Sequence, residues 1–130
     1  MKLSYSIHGW SGGDWAGFCA AAAETRVQGV EIDSVHNPAL QAKTSPINPE
    51  MALSARRSLS RQGLEIPCIA LAGDFLNGGA GDVAETIRAA RDLLVPYVVL
   101  STACEDIRQV IDGVGSAMAQ AAGTGVTLLL

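Results

Sequence analysis

Gly29-Val30-Glu31-Ile32 recurs in kind twice further along the chain, as Gly63-Leu64-Glu65-Ile66 and Gly125-Val126-Thr127-Leu128. Each copy opens on a glycine, the residue that closes a helix in a left-handed conformation without steric cost. Each then enters an apolar run of strand length. Residues 3–8 and 96–102 form two more such runs, so the sequence predicts five strands. Pro67 falls inside the third and removes a ladder donor, which implies a local bulge.

Helical periodicity fills the intervals. Trp15, Phe18, Cys19 and Ala22 recur at i, i+3, i+4 and i+7, the stripe of an amphipathic helix. Ala52, Ala55 and Leu59 make a second stripe, and Val83, Ile87, Ala90 and Leu94 a third. Ile107, Val110, Ile111, Val114, Met118 and Ala121 make a fourth. Asp14 can cap the first helix, and Asn48 before Pro49 gives a cap and a favoured first-turn residue to the second. Asp82 with Glu85, and Thr102 with Glu105, have capping-box spacing.

The predicted order is β-α-β-α-β-α-β-α-β, which makes the class α/β with right-handed parallel crossovers. Strand-to-strand spacing of about 30 residues suits a (β/α)8 barrel of about 250 residues cut a little past halfway. A nucleotide-binding open sheet would carry a Gly-rich turn after its first strand. Here Gly9-Trp10-Ser11-Gly12-Gly13-Asp14 fits neither GxGxxG nor the P-loop pattern. The expectation is a partial parallel (β/α) barrel of TIM type, a single domain over residues 1–130 that stops at strand five.

Side-chain parity sharpens that expectation. Val30, Leu64 and Val126 fall on one strand face, and Glu31, Glu65 and Thr127 on the other. A barrel packs its aliphatic face on helices, so Glu31 and Asp33 are expected inside. In the first strand Leu3, Tyr5 and Ile7 are then outward, and Ser4, Ser6 and His8 inward.

Composition narrows the function classes. With 48% apolar and 17% charged residues the chain is globular, and at 130 residues it has room for one core. Its net charge is −4, and Arg56, Arg57 and Arg61 make its one basic cluster, read as a solvated helix face. A nucleic-acid partner is not expected. Cys19, Cys68 and Cys104 are odd in number, far apart and without CxxC pairing, which points to a reducing cytoplasm and away from a disulfide framework or zinc site. No apolar run approaches the roughly 20 residues of a membrane span, and residues 1–10 lack the long apolar stretch of a signal peptide.

Barrel chemistry sits at the C-terminal strand ends and in the loops beyond them. Those places hold His8 and Trp10, then Asp33 and His36, then Asp74, then Ser101 and Thr102. His8 reads equally as a substrate contact or a satisfied barrel-core histidine. Asp33 and His36 suit substrate hydroxyls, against the more ordinary role of loop groups capping backbone. Trp10 reads as a flat stacking surface for a ligand or as a hydrophobic wall. Glu31 lies deeper and suits a buried polar contact, while Asp14 and Asp74 read as cap and turn. No catalytic residue is assigned, and no set has the spacing of metal ligands.

The motifs now carry a resemblance. A first strand ending in Gly9-Trp10 and leading to Asp14-Trp15 resembles the xylose-isomerase-like TIM-barrel family of sugar isomerases and epimerases. So do Gly29-Val30-Glu31-Ile32-Asp33 and Val35-His36-Asn37-Pro38-Ala39-Leu40. The segments QGLEIPC, VPYVVL and GVTLLL continue the likeness across the whole chain. The resemblance implies a sugar or polyol substrate, contacted here by His8, Trp10, Asp33 and His36. It also implies a divalent cation (Mn, Mg or Co), held in relatives by Glu, Asp, His and Glu from strands five to eight. On that reading this chain is a fragment that lacks the ligands, binds no cofactor itself and is inactive alone. The alternative is a half-barrel binding or assembly module, a homo-oligomer joined through exposed strand edges.

Overall fold

The structure, a computed structural model, describes residues 2–78 and 82–130, with Ala42 in backbone only. Five strands alternate with four helices: β1 Ser4–Ser6, α1 Trp15–Glu24, β2 Gly29–Asp33, α2 Ala52–Gln62, β3 Cys68–Ala70, α3 Val83–Leu93, β4 Tyr97–Val99, α4 Ile107–Ala121 and β5 Thr127–Leu129. All four strand pairings are parallel, and the spatial order is β1-β2-β3-β4-β5. The order never reverses, so there is no topological switch point. Crossovers of one hand therefore place every helix on the same face, where α1 packs on α2, α2 on α3 and α3 on α4. The other face is the lumen side of an unclosed barrel.

Burial follows the expected parity along β2. Val30 and Ile32 are 0% and 1% exposed under the helices, while Glu31 and Asp33 are partly open on the lumen face. Val98 and Leu100 repeat the buried side at β4. Gly29 is the first residue of β2 and not a helix-closing glycine; a Cβ there would lie 2.8 Å from Ser4 Oγ and 3.1 Å from the Glu65 carbonyl. The left-handed residue after α1 is Arg26 (φ 61°).

The third strand departs from the simple repeat. Gly29 bridges to Glu65, yet Ile32 pairs with Ile69, so one extra residue is inserted around Pro67. This is the implied bulge, and it resets the parity. Leu64 and Ile66 face the helices before it, Ile69 and Leu71 after it. The ladder proper runs Cys68–Ala70, later than the Gly63 start predicts.

Five further expectations are corrected. β1 ends at Ser6, and His8 sits in a single 3-10 turn, Ile7–Gly9, whose N–H is accepted by Ser6 Oγ. Leu3, expected to pack outward on a helix, is 55% exposed. Asp106, not Thr102, caps α4, accepting from the Arg108 and Gln109 N–H groups. Leu94 does not belong to the α3 stripe: it is the left-handed residue (φ 59°) that ends the helix, and its side chain is exposed. Asn48 caps not α2 but the 3-10 turn Pro49–Met51 that leads into it, accepting from Glu50 N–H, and α2 itself, with Met51 at its N-cap, has no side-chain cap. Two caps form as expected: Asp14 accepts from Gly17 N–H at 2.7 Å and Asp82 from Glu85 N–H at 2.8 Å.

The core is one cluster between sheet and helices. At the β1 end it is aromatic: Phe18 meets Trp15, Trp10 and Tyr5 at centroid distances of 5.3, 5.6 and 5.8 Å. Trp15 is fixed at its indole N–H, which donates to the Ala55 carbonyl of α2.

Candidate functional site

The polar residues at the C-terminal strand ends gather along one rim. His8, from the turn after β1, places Nε2 3.0 Å from Asp33 Oδ2 at the end of β2. The pairing follows from topology: β1 and β2 are parallel neighbours, Ser6 lies opposite Glu31, and the next turn brings His8 level with Asp33. Asp33 is 23% and His8 69% exposed at the side chain, so the imidazole projects over the open lumen. The 3.0 Å approach of Nε2 to the carboxylate leaves Nδ1 as the other polar atom of the ring. The pair thus offers a fixed carboxylate and an oriented imidazole to a hydroxyl-bearing ligand.

Side chains stitch each loop of the rim to the next. Asn37 donates Nδ2–H to the Ile7 carbonyl at 3.1 Å, and its Oδ1 accepts from Ala39 N–H. Ser34 Oγ accepts from Ala72 N–H at 2.9 Å, joining the β2 and β3 loops. Asp74 joins the β3 and β4 loops. Its carboxylate accepts from the N–H groups of Ala103, Leu76 and Asn77, from the Thr102 hydroxyl and from Asn77 Nδ2. Those bonds, Ala103 N–H foremost and Leu76 N–H next, hold the Asp74 carboxyl well below its usual range. Asp74 is a turn residue as the sequence predicts, and it is also a clamp across two loops.

The remaining predicted residues lie apart from the pair. His36 is exposed in the loop after β2 and makes no hydrogen bond among the described residues. Trp10 is half-buried, its ring edge-on to Phe18 and against Gly13, where a Cβ would come within 3.1 Å. Its indole Nε1 is buried without a partner among the described residues. Its main contacts therefore seat α1. Asn37 and Ser34 were missed by sequence reasoning: Asn37 lay inside a quoted motif, but nothing local marks either as a cross-loop bond.

Metal chemistry needs converging donors. Among the described residues no three His, Cys, Asp or Glu side chains come together as a cation site. The pair of His8 and Asp33 supplies two donors, short of such a set. The thiols are free: Cys19 is fully buried, and burial, with the Asp14 charge adding, pushes it up to about 12. Burial, with Glu31 adding, also raises Cys68. Among the described residues no helix is long and apolar enough to cross a membrane.

No protein-family model matches the chain, and no curated protein matches its sequence. Solved structures do. A xylose isomerase domain protein from Planctomyces limnophilus superposes with a TM-score of 0.67 at 13% identity, over 98% of this chain and 51% of its own. A D-allulose 3-epimerase from Methylomonas sp., in complex with D-allulose, gives 0.62 at 13% identity, over 98% of this chain and 50% of its own. The chain spans about half the length of the structures it matches. One parallel sheet in sequential order, helices on a single face and this half-length overlay agree: the fold is half of a xylose-isomerase-like barrel.

Proposed function

We propose that the chain is the N-terminal half of a sugar or polyol isomerase/epimerase barrel, and that its rim at His8 and Asp33 takes substrate hydroxyls. The observation that carries this reading is the pair itself, a carboxylate and an imidazole 3.0 Å apart on the lumen side of a half-barrel. Neighbouring hydroxyls of a sugar can donate to the Asp33 carboxylate and pair with the imidazole nitrogen that faces away from it. Trp10 and His36, from the loops that follow β1 and β2, are proposed as further substrate contacts. The likeness of the half-barrel to an epimerase structure holding D-allulose supports the substrate class.

Moving a proton at a carbon beside a carbonyl needs strong stabilisation of the enediolate, and a divalent cation (Mn, Mg or Co) supplies it in the complete barrel. The described residues offer no donor set, so we propose that this half binds sugar and orients it without turning it over. A reducing cytoplasm is the proposed location, on the ground that the three cysteines are few, odd in number and far apart in sequence.

Two measurements test the proposal. Amide shifts are recorded while a ketohexose or a polyol is added; shifts centred on His8 and Asp33, abolished by His8→Ala, are expected. A titration that moves no rim resonance removes the substrate assignment. Incubation of the chain with manganese and several ketoses should give no conversion, and turnover above background overturns the inactivity.

A second reading is favoured by one feature. The β5 edge carries an apolar hollow of about 350 Å³ lined by Val114, Met118, Leu128 and Leu130. Two copies pairing through bare edges would cover it. Gel filtration separates the readings: a dimer supports self-association, and a monomer that unfolds cooperatively counts against it.

A further inference from the structure

A broad concavity lies away from the rim, on the helix side. Leu53, Arg56 and Arg57 of α2 form one wall of a groove of about 780 Å³, whose far side is Leu94 and Tyr97 at the end of α3 and the start of β4. Three observations set this groove apart. Neither guanidinium meets a carboxylate among the described residues, whereas the groove's own acid, Glu65, is held by Lys2 at 2.7 Å. The groove is therefore positive in a chain of net charge −4. Large apolar side chains stand open around it: Leu94 is 69%, Leu53 56% and Tyr97 43% exposed. Leu94 also occupies a left-handed position (φ 59°) where α2 uses Gly63 (φ 65°). A leucine is strained there, and its side chain gains no burial in return. A position that breaks two local preferences at once is where a function outside folding is expected.

We propose that this groove docks a partner protein through a segment that presents a large apolar side chain flanked by carboxylates. Arginine and tyrosine beside exposed leucines match the composition of interface centres. The carboxylates meet Arg56 and Arg57, and the apolar anchor lies between Leu53, Leu94 and Tyr97. The groove is too open to enclose a small ligand, which needs most of its surface buried. Two arginines on an acidic chain do not make a polyanion track. The surface is separate from His8 and Asp33, so its test stands whether or not the rim binds sugar.

The whole chain is titrated, by fluorescence anisotropy, with a labelled peptide of about nine residues that alternates glutamate with leucine and phenylalanine. A counterpart carries glutamine for glutamate. The acidic peptide is expected to bind at least about tenfold more tightly than its neutral twin, and to weaken with salt. Arg56→Glu with Arg57→Glu should remove that preference at an unchanged fold, checked by circular dichroism. Leu94→Gly should raise Tm by roughly a few degrees as strain is relieved, and weaken the peptide by about threefold or more. Equal binding of both peptides, or indifference to the arginine pair, overturns the proposal. So does a change of oligomeric state in the arginine variant, which would assign the groove to a second copy of this chain.

Discussion

At the β1 end α1 buries its entire stripe of Trp15, Phe18, Cys19 and Ala22, whereas at the β5 end α4 buries Ala117 and leaves Ile107, Ile111 and Met118 more than half exposed. The apolar periodicity is the stronger in α4, the less buried of the two, and each helix flanks an open edge of the sheet. The difference lies in the connections. The long segment between β2 and α2 folds back over α1: Gln41 N–H donates to the Gly13 carbonyl, Thr44 Oγ1 accepts from Trp15 N–H, and Leu40 is buried. Nothing among the described residues does this for α4. A stripe specifies which face seeks cover, and the rest of the chain determines whether cover arrives.

That contrast can be broken by substitution. Phe18→Ala should have the largest effect, a loss of about 3–5 kcal/mol, because it empties the centre of a ring cluster at a side chain that is 0% exposed. Urea denaturation measures it; a cost below about 1 kcal/mol would mean that the β1 end is not the sealed end. Asp74→Asn should have a smaller effect, confined by pH. The native carboxyl is held below its ordinary value of 3.8, so its stabilisation is complete above that value and is lost as pH falls toward the native one. The variant should therefore unfold at lower temperature near neutral pH and converge on the parent in acid. Parallel melting curves at every pH would refute the clamp. Ile111→Ser should have the smallest effect, within about 0.5 kcal/mol, since its side chain is 62% exposed. A larger loss would show that α4 is covered in solution, as self-association would require.

The same contrast explains how far the sequence could be read. The repeat of Gly29, Gly63 and Gly125, the stripes of α1 to α3 and the caps at Asp14 and Asp82 are local patterns, and local patterns survive without coordinates. The Pro67 bulge was legible because proline cannot donate to a ladder. The end of α3 was not: Leu94 fits a helical stripe by spacing, and only its backbone turn removes it from the core. Thr102 looked like a cap because Glu105 stands three residues on, but its hydroxyl is taken by Asp74 and the cap passes to Asp106. At the rim, strand ends located His8 and Asp33 separately. Their contact depends on β1 lying beside β2 and on the turn at Ile7–Gly9, neither of which any short stretch encodes. The bonds from Asn37, Ser34 and Asp74 cross between loops and were invisible for the same reason.

Alternate single cysteines along β2, in a background without the native thiols, test the barrel geometry most directly. With helices on one face and an open lumen on the other, Glu31→Cys and Asp33→Cys should react with a soluble thiol reagent at least about tenfold faster than Val30→Cys and Ile32→Cys. Equal rates at all four positions, or faster labelling at 30 and 32, would contradict a half-barrel with its polar residues on the inside.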